Sequence, residues 1–174
     1  INLQASKYVI GGMLSAEAIT YFGIPQSIVM KAAGGISQLT LAIFPLSVAL
    51  STKEKFAKLK RLIFLSQWLT FLLGILGIVV TYQFGFQFLS LWLHNDQIAA
   101  KIFPLLKVMS LFLALNALAP LPSVILNGLN FPQIPSVASV ITTIINISLI
   151  ILLVPGYGAL GAAYAALYSN IVMV

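Results

Sequence analysis

The chain has 174 residues, of which 60% are hydrophobic and only 7% are Asp, Glu, Lys or Arg, and its mean hydropathy is +1.07. Soluble domains carry roughly 25% charged residues, so water is not the main solvent here. The absence of Cys excludes disulfides and thiolate metal sites, and one His with three acids cannot build a convincing metal site.

Two stretches, 62–95 and 108–174, contain no Asp, Glu, Lys or Arg. Each exceeds the ~20 apolar residues that cross a ~30 Å hydrocarbon layer, so each holds more than one crossing. Turn signals and charge clusters divide the chain into spans at roughly 6–22, 25–50, 62–83, 102–126, 135–154 and 158–174. All are expected to be helices, because an isolated strand in lipid leaves its backbone polar groups unpaired. The fold class is therefore all-α, a polytopic bundle of about six transmembrane helices.

Gly23-Ile24-Pro25 and Pro155-Gly156-Tyr157-Gly158 are short enough to force tight antiparallel connections. Lys53, Lys55, Lys58, Lys60 and Arg61, with only Glu54 opposing them, mark one loop as cytoplasmic by the positive-inside rule. Lys7 then lies inside, and the Gly23 turn, segment 84–101 and the Pro155 turn lie outside. This reading makes the basic loop a topology signal, and no nucleic-acid partner is expected. Segment 84–96 carries Phe84, Phe86, Phe88 and Trp92 but ends in His94, Asn95 and Asp96, so it reads as an interfacial belt with His94 solvated. Position 1 is Ile, and the chain stops inside the apolar run Ile171-Val172-Met173-Val174. Residues 1–174 are accordingly expected to be a single helical lobe of a longer chain.

Polar or small stripes recur at helical spacing: Lys31, Gly34, Gly35, Gln38, Ala42 and Pro45; then Gln67, Thr70, Gly74, Gly77 and Thr81; then Ser139, Thr142, Thr143 and Asn146. Helix packing accounts for such stripes in general, and for the small faces Gly158, Ala162, Ala166 and Gly161, Ala165, Ser169 in particular. Ionised groups are different, since one near mid-membrane costs roughly 2.5–3.5 kcal/mol on insertion scales. Glu17 and Lys31 lie seven residues either side of Ile24, which places both ~10 Å below the outer turn on adjacent helices. Lys107, entering from the same side, is expected ~8–9 Å deep. The three are candidates for lining one outward, net-positive cavity; the alternative is a self-satisfying Glu17–Lys31 pair with Lys107 snorkelling to the headgroups. Pro45, Pro104, Pro120 and Pro122 add kink sites suited to a moving bundle.

YVIGGMLSAEAITYFGIPQSI and QLTLAIFPLSVALS are similar to the seventh and eighth helices of bacterial polysaccharide (O-antigen type) flippases. LPSVILNGLNFPQIPSVASVITTIINISLIILLVPGYGALGAAYAAL, with its Asn127-Gly128 turn and the run Tyr157 to Ala163, resembles their tenth to twelfth helices. The loop after Asn127-Gly128 departs from the family in lacking basic residues. That superfamily also holds multidrug and toxin extrusion transporters and lipid II flippases. The resemblance implies the C-terminal half of a transporter in the bacterial inner membrane, completed by an N-terminal lobe related by pseudo-symmetry. It implies alternating access for a polyprenyl-pyrophosphate-linked oligosaccharide, with membrane lipids around it and no cofactor. Lys31 and Lys107 would then be phosphate partners, and Glu17 either a counter-ion or an ion-coupling site.

Two rivals are a cation or drug antiporter of the same superfamily, which wants acids in its cavity, and a membrane polysaccharide polymerase or ligase, which needs a sizeable outer loop with catalytic groups. A purely structural membrane subunit is a third. No GxxxxGK[ST] segment is present, so the sequence shows no P-loop.

Overall fold

In hydrocarbon each backbone N–H and C=O must find its partner within the segment, and the described residues meet that demand with helices. The computed structural model describes residues 11, 16–41, 56–118, 122–123, 126–127 and 131–171. Among the described residues there are five helices: α1 (Ala16–Leu41), α2 (Phe56–Leu93), α3 (Asp96–Asn116), α4 (Gln133–Tyr157) and α5 (Ala159–Ile171). The all-α membrane bundle expected from composition is the fold observed. Lys60–Leu93, α3 and α4 are each long and apolar enough to cross a membrane.

The first connection differs from expectation. No turn occurs at Gly23-Ile24-Pro25; α1 runs unbroken through it for 26 residues with Pro25 inside. Proline forfeits one helical hydrogen bond, but Pro25 lies fully buried beside Phe22 and Val29, so packing against the bundle outweighs that loss. Ser27 Oγ donates to the Gly23 carbonyl at 2.7 Å, a back-bond that accommodates a local bend.

The second difference is at 84–101, which is neither a loop nor a separate interfacial segment. The helix expected over 62–83 continues to Leu93, making α2 38 residues and ~57 Å long. Nothing between Phe84 and Leu93 breaks a helix, and an apolar run that stays helical keeps its backbone bonds satisfied. Phe88 and Trp92, one turn apart and stacked, still form an exposed aromatic face near that end. His94 takes a left-handed φ of 51° and Asn95 caps α3, its side chain accepting from Ile98 N at 3.1 Å. Asp96 begins α3, where a carboxylate suits the helix dipole, and accepts a hydrogen bond from Ser90 on α2.

Helix α3 is the hub, packing on α2, α1 and α5, while α4 packs on α5. Ile102 and Met109 of α3, Phe22 of α1, and Ile150 and Val154 of α4 are core residues exposed by 2% or less. The stripe on α2 packs as expected: a Cβ on Gly74 would lie 3.0 Å from Ala114 Cα, and Gln67 Nε2 donates to the Leu118 carbonyl at 3.2 Å. The stripe on α4 buries Thr142 and Asn146, and Asn146 Nδ2 donates to Ser169 Oγ of α5 at 3.2 Å. Gly161, Ala162, Ala165, Ala166 and Ser169 are all buried. Gly158 forms the α4–α5 turn with φ 57° and ψ −138°, a backbone that glycine alone adopts readily.

Basic Lys58, Lys60 and Arg61 are exposed in the opening turns of α2, which places that end on the cytoplasmic side. Lys53, Glu54 and Lys55 lie outside the described residues, as do Lys7, Ala42, Pro45, Pro120 and Gly128. Helix α2 thus runs outward and α3 inward. Because Glu17 near the start of α1 meets Lys101 near the start of α3, α1 also runs inward and its Ala16 end is the outer one.

A Cβ at Gly161 would collide with the Leu153 carbonyl and sit 2.9 Å from Val154 N, so backbone has to move. Gly161→Ala is expected to lower stability by about 1–3 kcal/mol. Gly34→Ala, where a Cβ meets nothing within 4 Å, is expected to stay within about 0.5 kcal/mol. Thermal unfolding of the two variants in detergent checks the contrast.

Candidate functional site

The helices divide sharply in what they expose. On α2 the open surface is bulky and apolar, for example Phe64, Leu65, Trp68 and Leu72, and on α4 it is Val137, Val140, Ile144 and Leu152. Over Glu17–Gln38 of α1 the exposed residues are Glu17, Thr20, Ser27, Met30, Lys31, Ala32, Gly34, Gly35 and Gln38, and Met30 is the one large apolar side chain among these described residues. The stripe Lys31, Gly34, Gly35 and Gln38 therefore does not pack against the other described helices. It is an open polar face on a helix long enough to span the hydrocarbon.

Lys31 sits on the side of α1 opposite Phe22 and Val29, and among the described residues it meets no acidic group. Since α1 is one helix, Glu17 and Lys31 are not neighbours at equal depth: fourteen residues separate them, ~21 Å along the axis. The expected Glu17–Lys31 pair is absent for that reason. Glu17 instead accepts from Tyr21 Oη and lies 4.0 Å from Lys101 Nζ, which also stands over the Tyr21 ring at 5.5 Å. Glu17 and Lys101 are 65% and 63% exposed, and pairs that open contribute about 0–1 kcal/mol. Their effect is to mark where the outer ends of α1 and α3 meet.

Lys107 lies deeper than its sequence position suggested. Helix α3 begins at Asp96 rather than near 102, so Lys107 is eleven residues in, ~16 Å along the axis. It is half-buried beside α2, its ammonium 4.4 Å from the Phe103 ring centroid and 5.3 Å from that of Tyr82. Lysine side chains on a helix lean towards its N-terminus, which carries the ammonium one turn outward over Phe103. Such ring contacts are worth roughly 0.5–2 kcal/mol each, enough to offset much of the ~2.5–3.5 kcal/mol for a cation at mid-span.

Glu17, Lys31 and Lys107 are thus not one cluster. With α1 and α3 side by side and Glu17 level with Lys101, Lys107 lies ~9 Å and Lys31 ~21 Å further in. The cations form a staggered series that ends at the basic start of α2. Sequence reasoning missed Lys101, Tyr21, Tyr82 and Phe103. Two of these were legible as helical neighbours, Tyr21 four residues after Glu17 and Phe103 four before Lys107; Lys101 and Tyr82 come from other helices.

The sequence pattern of MatE matches residues 4–152. The chain belongs to the MatE family. Over 94% of its length it is 25% identical to a Shigella flexneri protein described as "Putative O-antigen transporter". This MatE chain covers 38% of that relative's length. No solved structure matches it. The family and the apolar spans together make it a multi-pass membrane protein, in the superfamily that its sequence resembles.

The native chain has no Cys, so paired cysteines report distances cleanly. Glu17→Cys with Lys101→Cys is expected to join readily through a short bis-maleimide, and Glu17→Cys with Lys31→Cys, ~21 Å apart on one helix, is expected not to. Peptide mass mapping of the linked product distinguishes the unbroken helix from two antiparallel ones.

Proposed function

We propose that this chain forms part of a transporter that moves a polyprenyl-pyrophosphate-linked oligosaccharide from the cytoplasmic to the periplasmic leaflet of the bacterial inner membrane by alternating access. The observation that carries the reading is the open polar face of α1, with Lys31 near its middle meeting no acidic group among the described residues, beside helices whose open faces are bulky and apolar. A diphosphate cannot cross hydrocarbon unaided, and a hydrated cationic wall lowers that barrier. Lys31 and Lys107, staggered in depth, supply successive point charges for the moving head group. A second lobe opposite α1 closes the pathway, and the similarity to the Shigella flexneri protein described as "Putative O-antigen transporter" supports such a cargo.

Glu17 serves as counter-ion to Lys101 at the outer junction of α1 and α3. A cation or drug antiporter would place free acids along the pathway; of the acids among the described residues, Glu17 faces Lys101 and Tyr21, and Asp96 accepts from Ser90. A polymerase or ligase would need an outer catalytic loop, and the α2–α3 connection is only His94 and Asn95.

Deleting the gene in its host is expected to trap lipid-linked oligosaccharide in the cytoplasmic leaflet and to deplete surface polysaccharide. Wild type restores export; Lys31→Ala, at equal protein level, is expected to lower it about ten-fold, the scale of one lost charge-assisted contact. Normal surface polysaccharide with altered sensitivity to cationic drugs refutes this cargo.

A further inference from the structure

Lys107 is the described residue whose situation the proposed pathway explains least. A cation half-buried at mid-span ordinarily carries a carboxylate partner. The chain has three acids: Glu17 is engaged at the outer end, Asp96 is on the first turn of α3, and Glu54 lies next to the basic cluster in sequence, outside the described residues. Among the described residues Lys107 meets two rings and no carboxylate.

Those rings are held by their own packing. Phe103 lies against Gly85 of α2, where an added Cβ would come within 3.1 Å of the ring, and it meets Phe86 edge-on with centroids 5.8 Å apart. Tyr82, one turn before Phe86 on α2, brings a second ring centroid within 5.3 Å of the ammonium. A carboxylate would cancel the charge of Lys107. A ring face only attracts it and leaves its full unit of charge available to an incoming anion.

We propose that Phe103 and Tyr82 form an aromatic shelf that holds the Lys107 ammonium uncompensated within the membrane, as positioning residues for an anionic phosphate oxygen of a lipid-linked substrate. The inference rests on the transport reading above and adds to it two uncharged residues, with Gly85 as the space that seats Phe103. The chemistry selects for the phosphate of the substrate and is indifferent to its sugar.

The test measures binding of a polyprenyl phosphate and of the matching uncharged polyprenol to the intact transporter in nanodiscs, for wild type, Lys31→Ala, Lys107→Gln, Lys107→Arg, Tyr82→Leu, Phe103→Leu and Gly85→Ala. Tyr82 is 48% exposed, so its replacement leaves the core intact. The shelf predicts that Lys107→Gln weakens phosphate binding about ten-fold and each shelf variant about three-fold or more, with polyprenol unchanged. Lys107→Arg, which also stacks on rings, is expected to stay near wild type. If Lys107→Gln weakens phosphate binding and all three shelf variants match wild type, the shelf is wrong and the transport reading stands. The same holds if Lys31→Ala weakens it and Lys107→Gln does not, since Lys107 then only snorkels to headgroups. No preference of wild type for phosphate over polyprenol overturns both.

Discussion

Placing charge in a hydrocarbon layer is the expense around which this bundle is arranged. A lysine at mid-span on an insertion scale costs roughly 2.5–3.5 kcal/mol, a large share of what holds a small helical domain together. The chain carries Lys31 and Lys107 within its helices and treats them differently. Lys107 is lodged at the α2–α3 seam on Phe103 and Tyr82, with α2 and α3 brought close by Gly74 and Gly85. Lys31 is given no partner among the described residues and stands on an open face flanked by Gly34, Gly35 and Gln38. A side chain in that position needs water or a polar partner beside it, and the proposed pathway supplies the water.

The small residues divide accordingly. On α5, Gly161, Ala162, Ala165 and Ala166 are spent on close packing with α3 and α4, and on α2, Gly74 serves the contact with α3. On α1, a Cβ on Gly34 or Gly35 would meet nothing within 4 Å among the described residues. Equal composition therefore supports opposite roles, and only the arrangement of neighbours separates them. Helix α3, gripping α1, α2 and α5 at once, is the element through which movement of α1 would reach the rest of the lobe.

Much of this was legible from residues alone. The charge-free stretches revealed a helical membrane bundle, and the small faces of the last span identified a packing surface. The boundary read at Pro155-Gly156-Tyr157-Gly158 is where α4 gives way to α5, whereas the one read at Gly23-Ile24-Pro25 is not. At Gly23-Ile24-Pro25 the helix continues because Pro25 is buried among core side chains, a tertiary fact that no local rule contains. Correcting that one turn dissolves the Glu17–Lys31 pair and reassigns Glu17 to Lys101. At Phe84 to Leu93 the aromatic residues suggested an interface, whereas the helix extends through it. Lys107 was recognised as unusual, but its partner Tyr82 lies 25 residues away on another helix and left no sequence signal.

The central claim is that the open face of α1 borders water and not lipid, and a cysteine scan on the Cys-free background tests it most directly. Single cysteines at Lys31, Gly34 and Gln38, and for contrast at Leu65 and Leu72 of α2, would be exposed to a membrane-impermeant thiol reagent in intact membranes. The account predicts fast labelling at the three α1 positions and little at the two on α2. Labelling on α1 no faster than at Leu72 would mean that the polar face lies in lipid or against another helix, and the cavity would have no place in this protein.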